Sequence, residues 1–304
     1  MEKQYDIAII GAGPAGLSAS IYAQRAGFST VCLEQNVHGG QIINTPEVEN
    51  YPALGKVSGV EYATNLYEQA IGFGGQVEYL PVTAVDFTGE EKKLTTPGGE
   101  VCARAVIIAN GVVRRKLECP GEDRLTGRGV SYCATCDGSF FAGKTVAIVG
   151  GGNTALEDAV YLASVCEKVY LIHRRDTFRG AAHEVEKVLS NQKITIVYDS
   201  VVTEIKGADK VEEAVLKNVK TDEVTVLPVA AVFVAVGLIP QNDFLKGHVA
   251  LTQDGYLDAG EDCCTDVPGV FAAGDTRRKT LRQLVTAAAD GAVAATAAAA
   301  YLSE

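Results

Sequence analysis

Hydrophobic positions fall into short runs punctuated by glycine. Tyr5 to Ile10 is an apolar run of the kind buried on both faces in a parallel sheet. Gly11-Ala12-Gly13-Pro14-Ala15-Gly16 follows, then a helical pattern from Leu17 to Ala26 that Gly27 stops. Thr30 to Leu33 predicts a second strand ending at Glu34. The same order returns 139 positions later. Thr145 to Val149 predicts a strand, Gly150-Gly151-Gly152-Asn153-Thr154-Ala155 a turn, and Leu156 to Ala163 a helix. Lys168 to Ile172 then predicts a strand ending at His173-Arg174-Arg175. This is an internal duplication of a β-turn-α-β unit. Ala105 to Ala109, closed by Gly111, has its echo in Val232 to Val236, closed by Gly237. Short alternating strands such as Gln76 to Leu80 and Ile194 to Val197 lie between, set apart by polar turns. A last strand, Gly269 to Ala272, runs into Gly274-Asp275, and a long Ala-rich helix ends the chain.

Composition narrows the class. At 304 residues the length suggests two domains or one large one. A net charge of −11 argues against nucleic-acid and anionic-membrane partners, which need a basic face. The N-terminus lacks an apolar signal region, and the longest apolar run, Val229 to Ile239, is far shorter than the ~20 residues that span a bilayer. The Ala-rich tail carries Asp290, which suits a soluble helix. These features predict a cytoplasmic protein without a membrane partner. Eight cysteines are too few for a disulfide-stapled scaffold, and in a reducing compartment a disulfide is more often catalytic than structural.

A lone G-x-G-x-x-G arises by chance too readily to count, but both loops here sit between a strand and a helix. Such glycines bring backbone N–H groups up to a pyrophosphate at a helix N-terminus. The residues 18 positions beyond each loop separate the two nucleotides. Glu34 can accept hydrogen bonds from a ribose diol, whereas His173, Arg174 and Arg175, with Arg179 a turn later, pair with a 2′-phosphate that a carboxylate would repel. The first site therefore suits an adenosine with free ribose hydroxyls, the second NADPH over NADH. The alternatives are a plain tight turn and a solvated surface charge cluster.

Cys133-Ala134-Thr135-Cys136 is the one C-x-x-C. A zinc site needs about four ligands, and neither a second such pair nor a histidine pair supplies them, so no metal is expected. Plain packing and a reversible dithiol/disulfide remain, and the second fits a chain with two redox-type nucleotide loops. Thiol chemistry needs a proton donor and acceptor. With no histidine in the last 56 residues, Asp137 is the candidate acid/base; the alternative is a turn-forming Asp before Gly138. Cys32, Cys102, Cys119, Cys166, Cys263 and Cys264 read as small buried apolar groups or incidental thiols.

Taken in order, these pieces resemble the low-molecular-weight bacterial thioredoxin reductases, FAD-containing, NADPH-dependent pyridine nucleotide-disulfide oxidoreductases, over essentially the whole chain. The matching segments are Gly11 to Gly16, Gly39-Gly40-Gln41, Glu47 to Pro52, Cys133 to Gly138, Gly150 to Ala155, His173 to Arg179, Pro268 to Asp275 and Arg282-Gln283. The resemblance implies an α/β fold of two Rossmann-like, three-layer (ββα) dinucleotide-binding domains. The NADPH domain (114–241) is inserted into a discontinuous FAD domain (1–113 and 242–304). It implies FAD contacts from Gly11, Gly13, Pro14, Ala15, Gly16, Glu34, Gln35, Gly39, Gly40, Gln41, Asn50, Ala109, Gly111, Gly274, Asp275, Arg282, Gln283 and Leu284. Within that set Asp275 would hold the ribityl chain, and Gln283 would present the last helix to the pyrimidine end of the ring. NADPH contacts are implied for Gly150, Gly151, Gly152, Asn153, Thr154, Ala155, His173, Arg174, Arg175, Arg179 and Gly237.

The implied activity passes a hydride from NADPH to FAD, then reduces the Cys133–Cys136 disulfide, then a disulfide on thioredoxin or a thioredoxin-like protein. Cys136 would face the flavin, Cys133 would be the outer thiol, and the protein would be a homodimer. A related flavoprotein serving a peroxiredoxin system, another redoxin or a small-molecule dithiol is the alternative. Cys133 lies only 17 residues before Gly150, so disulfide and nicotinamide ride on one domain. A rotation of that domain between two states is therefore expected. Three departures from the family pattern stand out: Asn110 where Thr is usual, Ser139 where an aromatic is common, and Gly180-Ala181-Ala182-His183 after Arg179. Arg114, Arg115, Lys116 and Arg128 are candidates for docking an acidic partner.

Overall fold

The computed structural model describes residues 3–45 and 47–304. The chain divides into two compact units, one formed by Met1–Val113 with Ile239–Glu304, the other by Arg114–Leu238.

In the first unit the strand Lys3–Ile10 lies between Thr30–Leu33 and Gly99–Ile108, parallel to both. Gln76–Glu78 continues the sheet beyond Thr30–Leu33. The long strand Gly99–Ile108 changes partner midway. Its first half pairs antiparallel with Lys92–Thr96, and Val106 to Ile108 pair parallel with Val270–Ala272. Alternation along Lys3–Ile10 serves two cores. Ile7 and Ile9 pack with the helices Pro14–Arg25 and Leu284–Ser303, while Ala8 and Ile10 pack with Val85, Leu94 and Leu257 on the other face. Each such buried aliphatic side chain contributes about 1.5–3 kcal/mol.

The second unit repeats the plan. Its parallel sheet runs Ile194–Val197, Lys168–Ile172, Thr145–Gly150, Val232–Ala235 and Val130–Ser131. Val146 and Ile148 face the helix Asn153–Val165, through Leu156, Ala159 and Leu162. Ala147 and Val149 face an antiparallel three-strand layer built from Ser200–Lys206, Glu213–Asn218 and Val224–Pro228. The fold is thus α/β, with a parallel sheet covered by helices on one side and antiparallel strands on the other in each unit.

The helices after both glycine loops start three residues earlier than hydrophobic periodicity predicts, at Pro14 and Asn153. Pro14 sits at the first helical position, where its fixed φ suits the helix and its missing N–H is not needed. The last helix, Leu284–Ser303, is long and apolar enough by composition to cross a membrane. Here it lies against Pro14–Arg25, so close at Gly291 that a Cβ there would strike the Ala15 carbonyl. Its Asp290 is buried. The Asp290 carboxylate accepts from Arg277 Nε at 2.9 Å, Arg277 Nη2 at 2.8 Å, Lys279 Nζ at 2.8 Å and the Gly274 N–H at 3.0 Å. Burial pushes that carboxyl up, but Arg277 and Lys279 outweigh it and hold it below the usual range.

Candidate functional sites

The first glycine loop is shaped by backbone contacts. Gly11 has φ +104°, and a Cβ on it would come within 2.5 Å of the Ala109 carbonyl, a contact no L side chain tolerates. Gly40 passes Gly13 so closely that its Cβ would lie 3.3 Å from the Gly13 Cα, and the Gly39 N–H donates to the Ala12 carbonyl at 2.8 Å. No side chain caps the helix that begins at Pro14, and its first turn carries no acid. Its leading N–H groups are left for an anion. Glu34 is buried at the end of its strand. Its carboxylate accepts from the Ala12 N–H at 2.8 Å and from the Asn36 N–H at 3.0 Å.

Around this loop the unit gathers most of the first predicted set. Gly274 comes so close that its Cβ would lie 2.8 Å from that of Ala15. Asp275 and Thr276 follow it. Arg282 Nε donates to the Asp275 carbonyl at 3.3 Å, with its guanidinium 4.2 Å from the Tyr256 ring centroid. Asn50 Nδ2 donates to Gln283 Oε1 at 3.0 Å, and Gln283 is the N-cap of the helix that starts at Leu284. Gln35 and Gln41 are exposed. The glycine-lined approach to an uncapped helix and the oriented carboxylate fit a dinucleotide with a free adenosine ribose.

The second loop has the same frame and different chemistry. A Cβ on Gly150 would meet the Ala235 carbonyl at 2.5 Å, and Gly152 caps the helix Asn153–Val165 with no side-chain bond and no acid in its first turn. Asn153 Oδ1 accepts from the Ala181 N–H at 2.7 Å, drawing the segment after Arg179 back to the loop. His173 is 5 % exposed, and its ring occupies the space a Gly151 side chain would need. Nε2 of His173 donates to the Thr177 carbonyl at 2.9 Å and the ring stacks on Phe178. Burial lowers the His173 pKa, and the Arg179, Arg175 and Arg174 charges lower it further. The ring is therefore neutral near pH 7 and braces the loop, while Arg174, Arg175 and Arg179 are exposed and make no ion pair among the described residues. His173, expected in the same nucleotide-contact set, is buried with its ring on Thr177 and Phe178.

Cys133 and Cys136 form a disulfide with Cα atoms 5.3 Å apart. The helical turn Ala134–Asp137 begins inside it. Ser131 Oγ donates to Asp137 Oδ2 at 2.5 Å and accepts the Cys133 N–H at 3.1 Å, tying carboxylate and disulfide to one hydroxyl. Thr135 Oγ1 lies 3.5 Å from Cys133 Sγ. Gly138 packs against the helix Asn153–Val165, where its Cβ would come 2.9 Å from the Tyr161 ring. Among the described residues no group of three His, Cys, Asp or Glu gathers as metal ligands. The remaining thiols are mostly inert by burial, which pushes Cys32 and Cys263 up to about 12 and Cys119 to about 11. Cys264 alone among them is exposed. Of the docking candidates, Arg114 lies over the Tyr132 ring and Lys116 pairs with Asp123, while Arg115 and Arg128 are exposed.

Sequence patterns did not point to Ser131, Ala12 or the Arg277–Asp290–Lys279 cluster. Asp290 was the visible signal, an acid in an otherwise apolar helix.

Residues 5–291 match the pyridine nucleotide-disulphide oxidoreductase family. The chain is similar to a thioredoxin reductase of Peptoclostridium acidaminophilum, 45% identical across 99% of this chain and 98% of the relative. A thioredoxin reductase of Treponema pallidum is 42% identical, with 99% and 98% covered. The crystal structure of thioredoxin reductase from Streptococcus pyogenes superposes with a TM-score of 0.91 at 40% identity, covering 100% of this chain and 99% of that one. On matches of this extent, the chain belongs to the pyridine nucleotide-disulphide oxidoreductase family.

Proposed function

We propose that this protein is an NADPH-dependent thioredoxin-disulfide reductase, with FAD held by the first unit and NADPH by the second. The observation that carries the reading is the Cys133–Cys136 disulfide, with Asp137 on the hydroxyl that also accepts the Cys133 N–H, built into the unit whose nucleotide loop is flanked by three exposed arginines. Arg174, Arg175 and Arg179 suit the two negative charges of a 2′-phosphate, which the Glu34 carboxylate would repel.

In this reading the uncapped helix at Pro14 holds the FAD diphosphate, Glu34 the adenosine ribose, and Asp275 the ribityl chain. Bound flavin supplies the conversion between two-electron hydride transfer and disulfide reduction. Once Cys133 and Cys136 are thiols, the Cys133 thiolate attacks one sulfur of the partner disulfide, and the other partner sulfur leaves as a thiolate. Cys136 then attacks the mixed disulfide, restoring the Cys133–Cys136 bond and releasing the second partner thiolate. Asp137, held by Ser131, takes the proton from the attacking thiol and returns it to a leaving sulfur. The same reading carries thioredoxin as partner, a homodimer and a cytoplasmic location.

A coupled assay tests it. Purified protein carrying yellow flavin absorbance is supplied with NADPH or NADH, thioredoxin and a disulfide reporter. The expected result is turnover with NADPH well above that with NADH. No turnover with any thioredoxin or related redoxin overturns the proposal.

A further inference from the structure

Asn110 follows the strand Gly99–Ile108, two residues beyond its end, at the position where the resembled family usually carries Thr. Its Nδ2 donates to the Gln241 carbonyl and to Asn242 Oδ1, each at 3.0 Å. Its Oδ1 is buried and has no hydrogen-bond partner among the described residues. The amide cannot be turned round. Flipping it would set its carbonyl against the Gln241 oxygen and against Asn242 Oδ1. Asn242 is itself fixed, since its Nδ2 donates to the Gly255 carbonyl at 3.0 Å and its Oδ1 accepts the Thr276 hydroxyl at 3.0 Å. The orphan is therefore the oxygen, an acceptor with no other role.

Buried acceptors are rarely left unpaired, because the desolvation is then not offset by a hydrogen bond. The surroundings say which donor belongs there. The Asn110 Cα lies against the first glycine loop, 3.1 Å from where a Gly11 Cβ would stand. Through Asn242 the side chain is bonded to Thr276, the residue after Asp275. The free oxygen thus belongs to a network joining the turn at Gly11 to the segment Gly274–Thr276. We propose that Asn110 Oδ1 accepts a hydrogen bond from a hydroxyl of the ribityl chain of bound FAD, as a second ribityl contact beside Asp275. The inference rests on the reading of this unit as the FAD site and adds a residue to it. A threonine hydroxyl could donate or accept here, whereas this carbonyl accepts only, so the chain demands a hydroxyl donor from its ligand.

Equilibrium binding to the apoprotein tests this, read as quenching of flavin fluorescence. The probes are FAD and its 2′-deoxyribityl and 4′-deoxyribityl analogues, each tried with wild type, Asn110→Leu and Asn110→Thr. Wild type is expected to bind one deoxy analogue about tenfold more weakly than FAD. Asn110→Leu should bind FAD about tenfold more weakly than wild type and fail to distinguish FAD from that analogue. Asn110→Thr, which keeps an acceptor, should keep the discrimination. Should the leucine variant not fold, the wild-type and threonine series still decide. Wild type binding all three flavins alike, or the same deoxy penalty in wild type and leucine variant, overturns the assignment. Wild type failing to bind FAD at all overturns the cofactor reading itself.

Discussion

The two glycine loops share a frame and differ in what stands at the end of the following strand. In the first, a buried carboxylate is held by two backbone N–H groups, Ala12 and Asn36. In the second, a buried neutral imidazole is held by the Thr177 carbonyl, and three guanidinium groups beside it in sequence are exposed, with no ion pair among the described residues. A helix N-terminus attracts any diphosphate, so the frame alone does not choose between nucleotides. In the proposed reading the choice is made some 18 residues later, by charge.

The largest break in this comparison comes from the frame itself. Gly11→Val should cost more than 100-fold in FAD affinity, since a side chain would force the Ala109 carbonyl out of its 2.5 Å approach against a positive φ. Binding of NADPH to the second unit, followed by calorimetry, should change little. Next comes the strand end of the second loop. Arg174→Ala combined with Arg175→Ala should raise KM for NADPH about 100-fold, two charge-assisted contacts of about 1.5 kcal/mol each. KM for NADH should stay within about threefold, and steady-state kinetics with both donors check this. An equal loss for both donors would break the proposed division of labour. The corresponding change in the first loop, Glu34→Gln, should weaken FAD about tenfold by equilibrium titration, because one charged acceptor becomes neutral, and should leave NADPH alone.

The smallest expected effect concerns pH and separates the halves again. Asp158, on the second loop's helix, makes no ion pair among the described residues, and burial, with help from Glu157, pushes its carboxyl up to about 7. Its unfolded value near 3.8 is lower, so the native state binds more protons between those values and stability falls as pH rises through 7. His173 has the opposite sign. Its native pKa is lowered by burial, so stability is lost as pH drops below the unfolded value of about 6.5. Asp158→Asn should therefore raise the melting temperature by a few degrees at pH 8, on the order of 1–3 kcal/mol, and by less at pH 5, the gain vanishing only below the unfolded value of 3.8. His173→Gln should flatten the acid side. Thermal melts across pH 5–8 read both.

Much of the fold was legible because parallel strands buried on two faces write themselves as unbroken apolar runs, as at Ile7–Ile10 and Val146–Val149. The pair of strand-loop-helix units was legible because glycine is demanded wherever backbone meets backbone. Helix starts were less so: the first turns, Pro14-Ala15-Gly16 and Asn153-Thr154-Ala155, carry small or polar residues that add nothing to the apolar periodicity. The disulfide pair and Asp137 were visible as a motif, but Ser131, which holds both, was not, because a single serine in a short strand carries no pattern.

The sequence by itself determined the duplicated frame, the opposite charges beyond the two loops and the redox pair, since each depends on residues near one another along the chain. Only the tertiary structure decided which side chains work from behind. It buried His173 against Thr177 and Phe178, seated Asp290 between Arg277 and Lys279, and left the Asn110 oxygen without a donor among the described residues. Those outcomes depend on partners distant in sequence, such as Gln241, Asn242 and Thr276 for Asn110. Burial and hydrogen-bond satisfaction are properties of packed neighbours, which no local spacing encodes.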